Sequence, residues 1–475
     1  MKLELKDKQV LVLGLGETGL SALRWLASKG AKLSVADTRA MPPGIDALTV
    51  EMPEVKLVTG AYQTEVFNNA DLIVSSPGVP LSTPEIQVAI AKGIPVIGDV
   101  ELFAQQLACN AKYAKTKIIA ITGSNGKTTV TTLVGEMCKA AGLNTVVAGN
   151  IGLPVLDILN MDTPDAIVLE LSSFQLETTH RLNVAAAVVL NVTEDHMDRY
   201  ASFADYAAAK ARIFAHAKAK VINREDSYSS AMVDATQTAI SFGLNAPVNV
   251  EDFGLLMEAG STYLAQGNNR LLSLNEMKLS GLHNAANALA ALALCRAIGI
   301  DFVPLLATLK TFKGLPHRVE WVANIAEVDF YDDSKGTNVG ATCAAIAGMT
   351  KNGSAQKVVL IAGGDGKGQD FSPLLNAIEN NARAVVLIGR DAPLIEQALA
   401  SSDISRYLAA DLPEAVNIAY KVAHQGDAVL LSPACASFDM FNNYMHRAEV
   451  FIAAVQLLQT NQQALTKSSD SRVTG

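Results

Sequence analysis

The segment Lys117-Ile-Ile-Ala-Ile-Thr-Gly-Ser-Asn-Gly-Lys-Thr-Thr129 decides the fold of the central part of the chain. Its apolar start predicts a buried strand, and a helical pattern follows from Val130 to Ala140. Backbone N–H groups at such a helix start, together with the Lys127 ammonium, would neutralise a triphosphate, and the Thr128 hydroxyl would reach magnesium. The loop is two residues shorter than the usual G-x-x-x-x-G-K-[ST]. The strand–loop–helix placement nevertheless predicts an ATP site.

Working outward from this segment, strand-like apolar runs alternate with helical patterns along most of the 475 residues. This alternation is typical of α/β layers around largely parallel sheets. The length predicts about three domains. We place them at 1–98, 99–314 and 315–475, with a small β subdomain in the polar stretch from about 240 to 280 of the central one.

Composition excludes several classes of protein. At 49% hydrophobic and 18% charged residues the chain is expected to fold throughout, and no apolar run approaches the roughly 18 residues that span a membrane. The net charge of −9 argues against nucleic-acid or anionic-membrane partners. The five cysteines show no C-x-x-C spacing, so neither a disulfide framework nor a zinc site is indicated. We expect a cytoplasmic protein.

A glycine pattern, Gly14-x-Gly16-x-x-Gly19, follows the first predicted strand and opens a helix. Asp37 ends the next strand, which completes the outline of a dinucleotide-binding unit. Glycines let the backbone approach a diphosphate, and the carboxylate could hold a ribose or a base. A tight strand-to-helix turn without a ligand would give the same pattern, so this motif alone leaves the ligand open.

Two acidic segments follow the ATP loop. Glu170 stands at the end of the predicted strand Ala166 to Leu169, where a carboxylate could ligate the same magnesium. The segment Asn191-Val-Thr-Glu-Asp-His-Met-Asp-Arg-Tyr200 lies just past the strand Ala185 to Leu190, at the sheet edge where ligands bind. Within this cluster His196 is the strongest candidate for a functional role.

Lys210 is unusual because it lies on an apolar stripe. A capping box at Ser202 and Asp205 predicts a helix from about Phe203 to Ala217, and Lys210 shares its inward face with Tyr206. Burial and nearby cations favour a neutral amine, which can take up carbon dioxide and become a carbamate ligand for magnesium. A lysine whose ammonium reaches past the stripe to solvent is the alternative.

Three polar loops end strands of the last domain, at Tyr331 to Asn338, Gly363 to Lys367 and Leu431 to Phe438. Because the carboxyl ends of parallel strands meet at one edge, the loops should converge on one crevice with two ammonium groups and several hydroxyls. Such a crevice suits a small molecule with several carboxylates, or phosphates.

Taken together, these stretches resemble the Mur ligases of peptidoglycan synthesis over nearly the whole chain. The loop Thr122–Thr129 is common to that family, and the segments at 171–179, 191–200, 333–338 and 432–437 are similar to its D-glutamate-adding branch. The resemblance implies Rossmann-like first and last domains around a P-loop ATPase domain. It also implies that a UDP-linked substrate, and not a nicotinamide cofactor, occupies the Gly14 loop.

The resemblance further implies a set of site residues. Catalytic positions are Lys127, Glu170, His196, Lys210, Asp333 and Lys335. The ATP positions are Gly123, Ser124, Asn125, Gly126, Lys127, Thr128, Thr129, Asn284, Arg318 and Asp333. The UDP-substrate positions are Gly14, Gly16, Glu17, Thr18, Asp37, Thr38, Arg39, Ser76 and Asn150. The D-glutamate positions are Lys335, Thr337, Asp365, Lys367, Ser437 and Phe438. The ligands of two magnesium ions are Thr128, Glu170, His196 and Lys210 as a carbamate formed from carbon dioxide. At Tyr444 the family carries phenylalanine.

The implied reaction joins D-glutamate to UDP-N-acetylmuramoyl-L-alanine through an acyl phosphate, with release of ADP and phosphate, by an enzyme that we expect to be a monomer. Three alternatives stay open. A nicotinamide oxidoreductase would leave the Lys127 loop without a role, a switch NTPase would need no carboxylate acceptor, and a sibling ligase would add another amino acid.

Overall fold

The computed structural model describes residues 4–234, 237–279, 281–349 and 356–473. Internal contacts divide the chain into two compact units. The first comprises Met1–Val192, Ala204–Met277 and Ala286–Thr311, and the second comprises Thr193–Phe203, Lys278–Ala285 and Phe312–Gly475. Among the described helices none is both long and apolar enough to cross a membrane.

The first unit begins with a five-stranded parallel sheet in the order β3-β2-β1-β4-β5. Its strands are β1 (Gln9–Leu13), β2 (Lys32–Asp37), β3 (Lys56–Thr59), β4 (Leu72–Ser75) and β5 (Val96–Ile97). The helices are α1 (Glu17–Ser28), α2 (Ile45–Glu51), α3 (Thr64–Asn68), α4 (Pro84–Ala91) and α5 (Asp99–Cys109). The strand order reverses beside β1, so a crevice for ligands opens at the carboxyl end of this strand.

Glycine is required where α1 approaches β1. A Cβ atom on Gly19 would lie 1.9 Å from the carbonyl oxygen of Gly14, and Gly14 itself has a φ of +85°. Only glycine fits this close approach between helix and strand. The glycine pattern therefore positions the start of α1 directly above the crevice.

The first unit also contains a nine-stranded sheet in the order β14-β13-β12-β11-β10-β9-β6-β8-β7. Its strands are β6 (Lys117–Thr122), β7 (Thr145–Gly149), β8 (Ala166–Glu170), β9 (Val184–Val189), β10 (Ala217–Asn223), β11 (Ile240–Phe242), β12 (Phe253–Glu258), β13 (Ser261–Gln266) and β14 (Asn269–Ser273). The helices along this part of the chain are α6 (Lys127–Ala140), α7 (Ser173–Glu177), α8 (Phe203–Ala211), α9 (Ser227–Ala231), α10 (Leu282–Ala297) and α11 (Phe302–Thr311). The expected small β subdomain is the antiparallel β12-β13-β14 meander, which continues this sheet because β12 pairs with β11.

One predicted helix ends earlier than expected. The helix expected from Phe203 to Ala217 stops at Ala211 and is followed by a short 3₁₀ turn, Arg212–Phe214. Ala217 already begins β10, which pairs in parallel with β9. Pairing within the sheet therefore overrides the local helical pattern.

The second unit contains a six-stranded sheet in the order β15-β16-β20-β17-β18-β19, parallel except for β15. Its strands are β15 (Glu320–Ile325), β16 (Val328–Asp332), β17 (Val358–Gly363), β18 (Ala382–Ile388), β19 (Ser405–Leu408) and β20 (Ala428–Leu431). The helices are α12 (Val339–Met349), α13 (Pro373–Asn381), α14 (Ala392–Ala398), α15 (Leu412–Val422) and α16 (Tyr444–Val473). A hydrophobic cluster covers each face of this sheet. The α/β class with largely parallel sheets is confirmed.

Candidate active site

The phosphate-binding loop connects β6 to α6. Gly126 precedes the helix with a φ of +83°, and a Cβ atom there would lie 2.6 Å from Oδ1 of Asn287. Asn191 holds the loop from the next strand, since its Oδ1 accepts from the backbone N–H of Asn125 at 2.8 Å. The loop is therefore fixed on both sides, with the N-terminus of α6 facing it.

Two lysine side chains meet on one carbonyl oxygen of this loop. Lys127 Nζ donates to the carbonyl oxygen of Gly123 at 2.7 Å, and Lys210 Nζ donates to the same oxygen at 3.0 Å. Lys210 is 2% exposed and its Nζ lies 4.4 Å from the ring centroid of Tyr206. The inward orientation predicted from the apolar stripe is confirmed, although the helix is shorter than expected.

Glu170 offers an oxygen that suits a metal ion. Its side chain is 1% exposed, and Oε1 accepts from the Asn150 side-chain amide at 2.8 Å. Oε2 is buried without a hydrogen-bond partner among the described residues. Glu170 pairs with Ile121 across the sheet, directly before the phosphate-binding loop. A buried carboxylate oxygen with spare capacity beside this loop fits magnesium, which prefers oxygen ligands.

The crevice above the first sheet is a cavity of about 670 Å³. All residues predicted for the UDP substrate line it, namely Gly14, Gly16, Glu17, Thr18, Asp37, Thr38, Arg39, Ser76 and Asn150. The sequence analysis did not assign Tyr62 or Gln175 to this substrate, although both also line the cavity. Tyr62 lies just before α3. Gln175 lies in α7, within the segment 171–179 that resembles the family, but nothing in the sequence connects that segment to the glycine loop.

Asp37 is held as a carboxylate in this cavity. Burial raises its pKa, but hydrogen bonds from Arg39 and from the backbone N–H of Leu15 outweigh burial and lower the pKa to about 2. Arg39 is thereby fixed beside the carboxylate at 2.6 Å. The pair presents both an acceptor and a positive charge to a ligand.

In the second unit three loops converge, as the sequence predicted, because β16, β20 and β17 are neighbours in the sheet. Ser432 Oγ donates to Asp333 Oδ2 at 2.6 Å, and the backbone N–H of Ala434 donates to the carbonyl oxygen of Gly336 at 2.9 Å. Asp365 exchanges two backbone hydrogen bonds with Ala436. The three strand ends therefore form one hydrogen-bonded surface.

Two ammonium groups occupy this surface. Lys367 Nζ contacts Asp195 Oδ1, and the Lys335 Nζ lies 4.0 Å from the ring centroid of Tyr444. His196 also belongs to this unit, with Nε2 3.6 Å from Asp195. Sequence reasoning missed Asp195, although it quoted the acidic segment that contains it, because nothing in the local pattern connects it to Lys367.

The remaining predicted D-glutamate positions differ in exposure. Ser437 is 3% exposed and Thr337 is half-buried, whereas the Phe438 side chain is 74% exposed. Asp365 accepts from the backbone N–H of Lys367 at 3.0 Å and from Arg390 at 2.5 Å. Phe438 is thus the predicted position that packs least into the converging loops.

The ATP positions are distributed over both units. Residues 123–129 belong to the first, and Asn284, Arg318 and Asp333 belong to the second. Arg318 acts electrostatically on both Asp333 and His283. Burial, followed by this positive charge, lowers the pKa of His283. Among the predicted metal ligands, Thr128, Glu170 and Lys210 belong to the first unit and His196 to the second.

Asp333 predicts a pH dependence of stability. Burial raises its pKa to about 7 against the opposing effects of Ser432 and Arg318. Between about pH 4 and pH 7 the folded state therefore binds more protons than the unfolded state, and this contribution to the free energy of unfolding falls as pH rises. Asparagine does not titrate, so Asp333→Asn should lack this pH-dependent loss of stability. We therefore expect the melting temperature of the variant, minus that of wild type, to increase as pH rises.

Melting curves at several pH values across this window check the prediction, with Asp427→Asn as the control. The pKa of Asp427 is lowered, because hydrogen bonds led by that from Arg383 outweigh the effect of burial. The difference in melting temperature between Asp427→Asn and wild type should therefore stay nearly constant across this window and shrink only below about pH 4. If the difference in melting temperature between Asp333→Asn and wild type does not change with pH, the raised pKa of Asp333 is contradicted.

The fold and site define an α/β protein with a phosphate-binding loop and a second, lysine-bearing ligand surface. Three family models match most of the chain: Mur ligase MurD-like, N-terminal domain at residues 8–98, Mur ligase middle domain at 121–295 and Mur ligase, glutamate ligase domain at 317–435. The chain belongs to the Mur ligase family.

Curated relatives match along nearly their whole length. The UDP-N-acetylmuramoylalanine–D-glutamate ligase of Methylobacillus flagellatus is 60% identical over 96% of this chain and 98% of that protein. The enzyme of the same name from Pseudomonas savastanoi pv. phaseolicola is 48% identical over 96% of this chain and 100% of that protein.

Solved structures share the fold at lower identity. The UDP-N-acetylmuramate-alanine ligase of Thermotoga maritima has a TM-score of 0.58 at 22% identity, covering 95% of this chain and 99% of that one. A pseudomurein peptide ligase type C from Methanothermus fervidus has a TM-score of 0.55 at 20% identity, and the match covers 90% of this chain and 96% of that one.

Proposed function

We propose that this protein is the ligase that joins D-glutamate to UDP-N-acetylmuramoyl-L-alanine, with conversion of ATP to ADP and phosphate. The observation that carries this proposal is the 60% identity, over 96% of the chain, to a protein named for this reaction. The cavity at the Gly14 loop, the phosphate-binding loop and the lysine-bearing loops offer one site for each of three substrates. The names of these relatives favour this reaction over that of a ligase of the same family that adds another amino acid.

The chemistry requires activation of a carboxylate. A carboxylate is a poor acyl donor because its leaving group would be oxide, so the L-alanine carboxylate first attacks the γ-phosphate of ATP to give an acyl phosphate and ADP. The amine of D-glutamate then attacks the acyl carbon, and phosphate leaves as the amide forms. Lys127 and the N-terminus of α6 align the phosphates and balance their charge.

Two magnesium ions are part of this proposal. Bound magnesium supplies charge neutralisation at the phosphoryl oxygens. Thr128 and Glu170 would hold the first ion, which agrees with the buried Oε2 of Glu170 that has no partner among the described residues. His196 and Lys210 would hold the second, with Lys210 as a carbamate.

The surroundings of Lys210 support carbamate formation. Its Nζ shares the Gly123 carbonyl oxygen with Lys127, and it is buried. A second positive charge and burial both disfavour an ammonium at this position and favour the neutral amine that adds to carbon dioxide. Addition gives a carbamate, whose oxygens are metal ligands, and releases one proton.

D-glutamate would bind on the converging loops of the second unit. Lys335 and Lys367 supply two positive charges for its two carboxylates, and Thr337 and Ser437 supply hydroxyl donors. Asp195 orients Lys367 through their ion pair. We further propose domains at 1–98, 99–314 and 315–475, a monomer, and a cytoplasmic location.

An amino-acid panel tests the function. Purified protein with UDP-N-acetylmuramoyl-L-alanine, ATP and magnesium is given D-glutamate, L-glutamate, L-alanine, glycine or diaminopimelate, and both ADP and the ligated product are measured. We expect product with D-glutamate in a ratio of one per ADP. ADP release without product in every case, or no preference for D-glutamate, would overturn the proposal.

Lys367→Ala should weaken capture of the amino acid. Loss of one charge-assisted contact is expected to raise the KM for D-glutamate about tenfold to a hundredfold, with a smaller change in the KM for ATP. Lys357→Ala is the matched control, because its Nζ donates to the Asn380 carbonyl oxygen, outside the three loops. An unchanged KM for D-glutamate in Lys367→Ala would contradict the assignment.

A further inference from the structure

Arg447 is a buried charge that none of the roles above explains. It is 1% exposed and belongs to the first turn of α16. Burial lowers its pKa to about 10, which leaves the guanidinium charged at neutral pH. A buried guanidinium is costly unless its hydrogen bonds are well used. The position of those hydrogen bonds therefore indicates what the charge is for.

Both side-chain hydrogen bonds that the structure describes for Arg447 end on backbone carbonyls of the proposed ligand-binding loops. One amino group donates to the carbonyl oxygen of Ser334 at 2.8 Å, and the other donates to the carbonyl oxygen of Cys435 at 3.1 Å. Its Nε is buried and has no partner among the residues that the structure describes. The planar guanidinium thus connects the loop after β16 with the loop after β20.

Each of these carbonyls lies within two positions of a residue that we propose for D-glutamate. Ser334 directly precedes Lys335, and Cys435 lies two positions before Ser437. Tyr444, three residues before Arg447 and so on the same face of α16, contacts the Lys335 ammonium. One turn of α16 therefore contacts both loops.

We propose that Arg447 is a positioning residue for the amino-acid site: its guanidinium sets the spacing of the 333–338 and 432–437 loops, so that Lys335 and Ser437 grip D-glutamate together. The inference rests on the proposed function for the identity of the ligand. The positioning itself concerns only the loops, so it can be measured without substrate.

Kinetics of Arg447→Lys and Arg447→Met test the proposal. A lysine ammonium keeps the charge but cannot bridge both carbonyls as a planar fork does. We expect the KM for D-glutamate to rise about tenfold or more in both variants, because small displacements of positioning groups are costly. The KM for UDP-N-acetylmuramoyl-L-alanine should stay within about twofold, since the cavity proposed for it lies at the five-stranded sheet of the first unit.

Arg406→Lys is the matched control. Arg406 also donates to backbone carbonyls, those of Leu399, Ser402 and Ile404, in the same unit but away from the ligand loops. It should lower the melting temperature without a selective change in the KM for D-glutamate. Equal rises in all three substrate KM values in Arg447→Lys, or the same KM pattern in Arg406→Lys, would overturn the proposal.

Hydrogen exchange separates this inference from the proposed function. In Arg447→Lys two amides should exchange faster than in wild type: that of Ala434, which donates to the Gly336 carbonyl oxygen and so connects the two loops, and that of Gly336, which donates to the Asp333 carbonyl oxygen within its own loop. Amides of β17 should keep their protection. If these amides exchange faster in Arg447→Lys but the wild-type protein does not ligate D-glutamate, the positioning role of Arg447 is supported and D-glutamate is rejected as the ligand. Unchanged exchange at both amides would reject the positioning role, whatever the activity.

Discussion

Lys210→Ala is expected to abolish ligation, with a loss of about a thousandfold or more in kcat, because the proposed carbamate is a metal ligand at a phosphoryl-transfer site and such a ligand contributes several kcal/mol. A short carboxylic acid, such as acetate, should restore part of the activity by occupying the space of the proposed carbamate. The buried position of Lys210 beside the Gly123 carbonyl oxygen makes such a space available in the variant. Initial rates of ADP and product formation, with and without added acid, measure both effects.

The rescue also distinguishes a carbamate from a plain ammonium. Lys210 donates to the Gly123 carbonyl oxygen, so a purely structural ammonium would be replaced better by methylamine than by acetate. Acetamide at the same concentration is the neutral control for acetate, and Lys139→Ala is the control variant, since Lys139 is an exposed residue paired with Glu136. Rescue by methylamine alone, or full activity of Lys210→Ala, would reject the carbamate.

Local patterns in the sequence predicted the parts of the site that lie within one strand–loop–helix unit. The glycine pattern at Gly14 and the loop before Lys127 each constrain a few consecutive residues, whose geometry follows from backbone sterics and helix N-termini. The burial of Lys210 followed in the same way from helical periodicity. Even so, the helix that carries it ends at Ala211, because β10 competes for the residues that follow.

Contacts between distant segments could not be predicted in this way. Asp195 and Lys367 are 172 positions apart and share no pattern. Arg447 belongs to none of the motifs found in the sequence, and only the structure reveals that it is buried against two loops. The convergence of those loops was predictable from parallel topology, but the side chain that supports them was not.

Lys127→Ala should remove formation of the acyl phosphate while leaving substrate binding at the Gly14 cavity intact. The ammonium balances charge that develops on the transferred phosphoryl group, and removal of one such group is expected to lower the rate about a hundredfold to a thousandfold. In wild type its Nζ contacts the carbonyl oxygens of Gly123 and Ser124, so it already lies across the phosphate-binding loop. Trapping with hydroxylamine in the absence of D-glutamate, which converts an acyl phosphate to a hydroxamate, measures this step directly.

The same trapping assay places Lys127 and Lys367 at different steps. Lys367→Ala should form hydroxamate at close to the wild-type rate, because its side chain acts on the amino acid that enters after phosphoryl transfer. Lys127→Ala should form almost none, although calorimetry should still detect binding of UDP-N-acetylmuramoyl-L-alanine with an affinity within about threefold of wild type. Hydroxamate at the wild-type rate in Lys127→Ala would mean that the ammonium serves the loop and not the phosphoryl group. A deficit in Lys367→Ala would mean that the amino-acid loops also act on ATP.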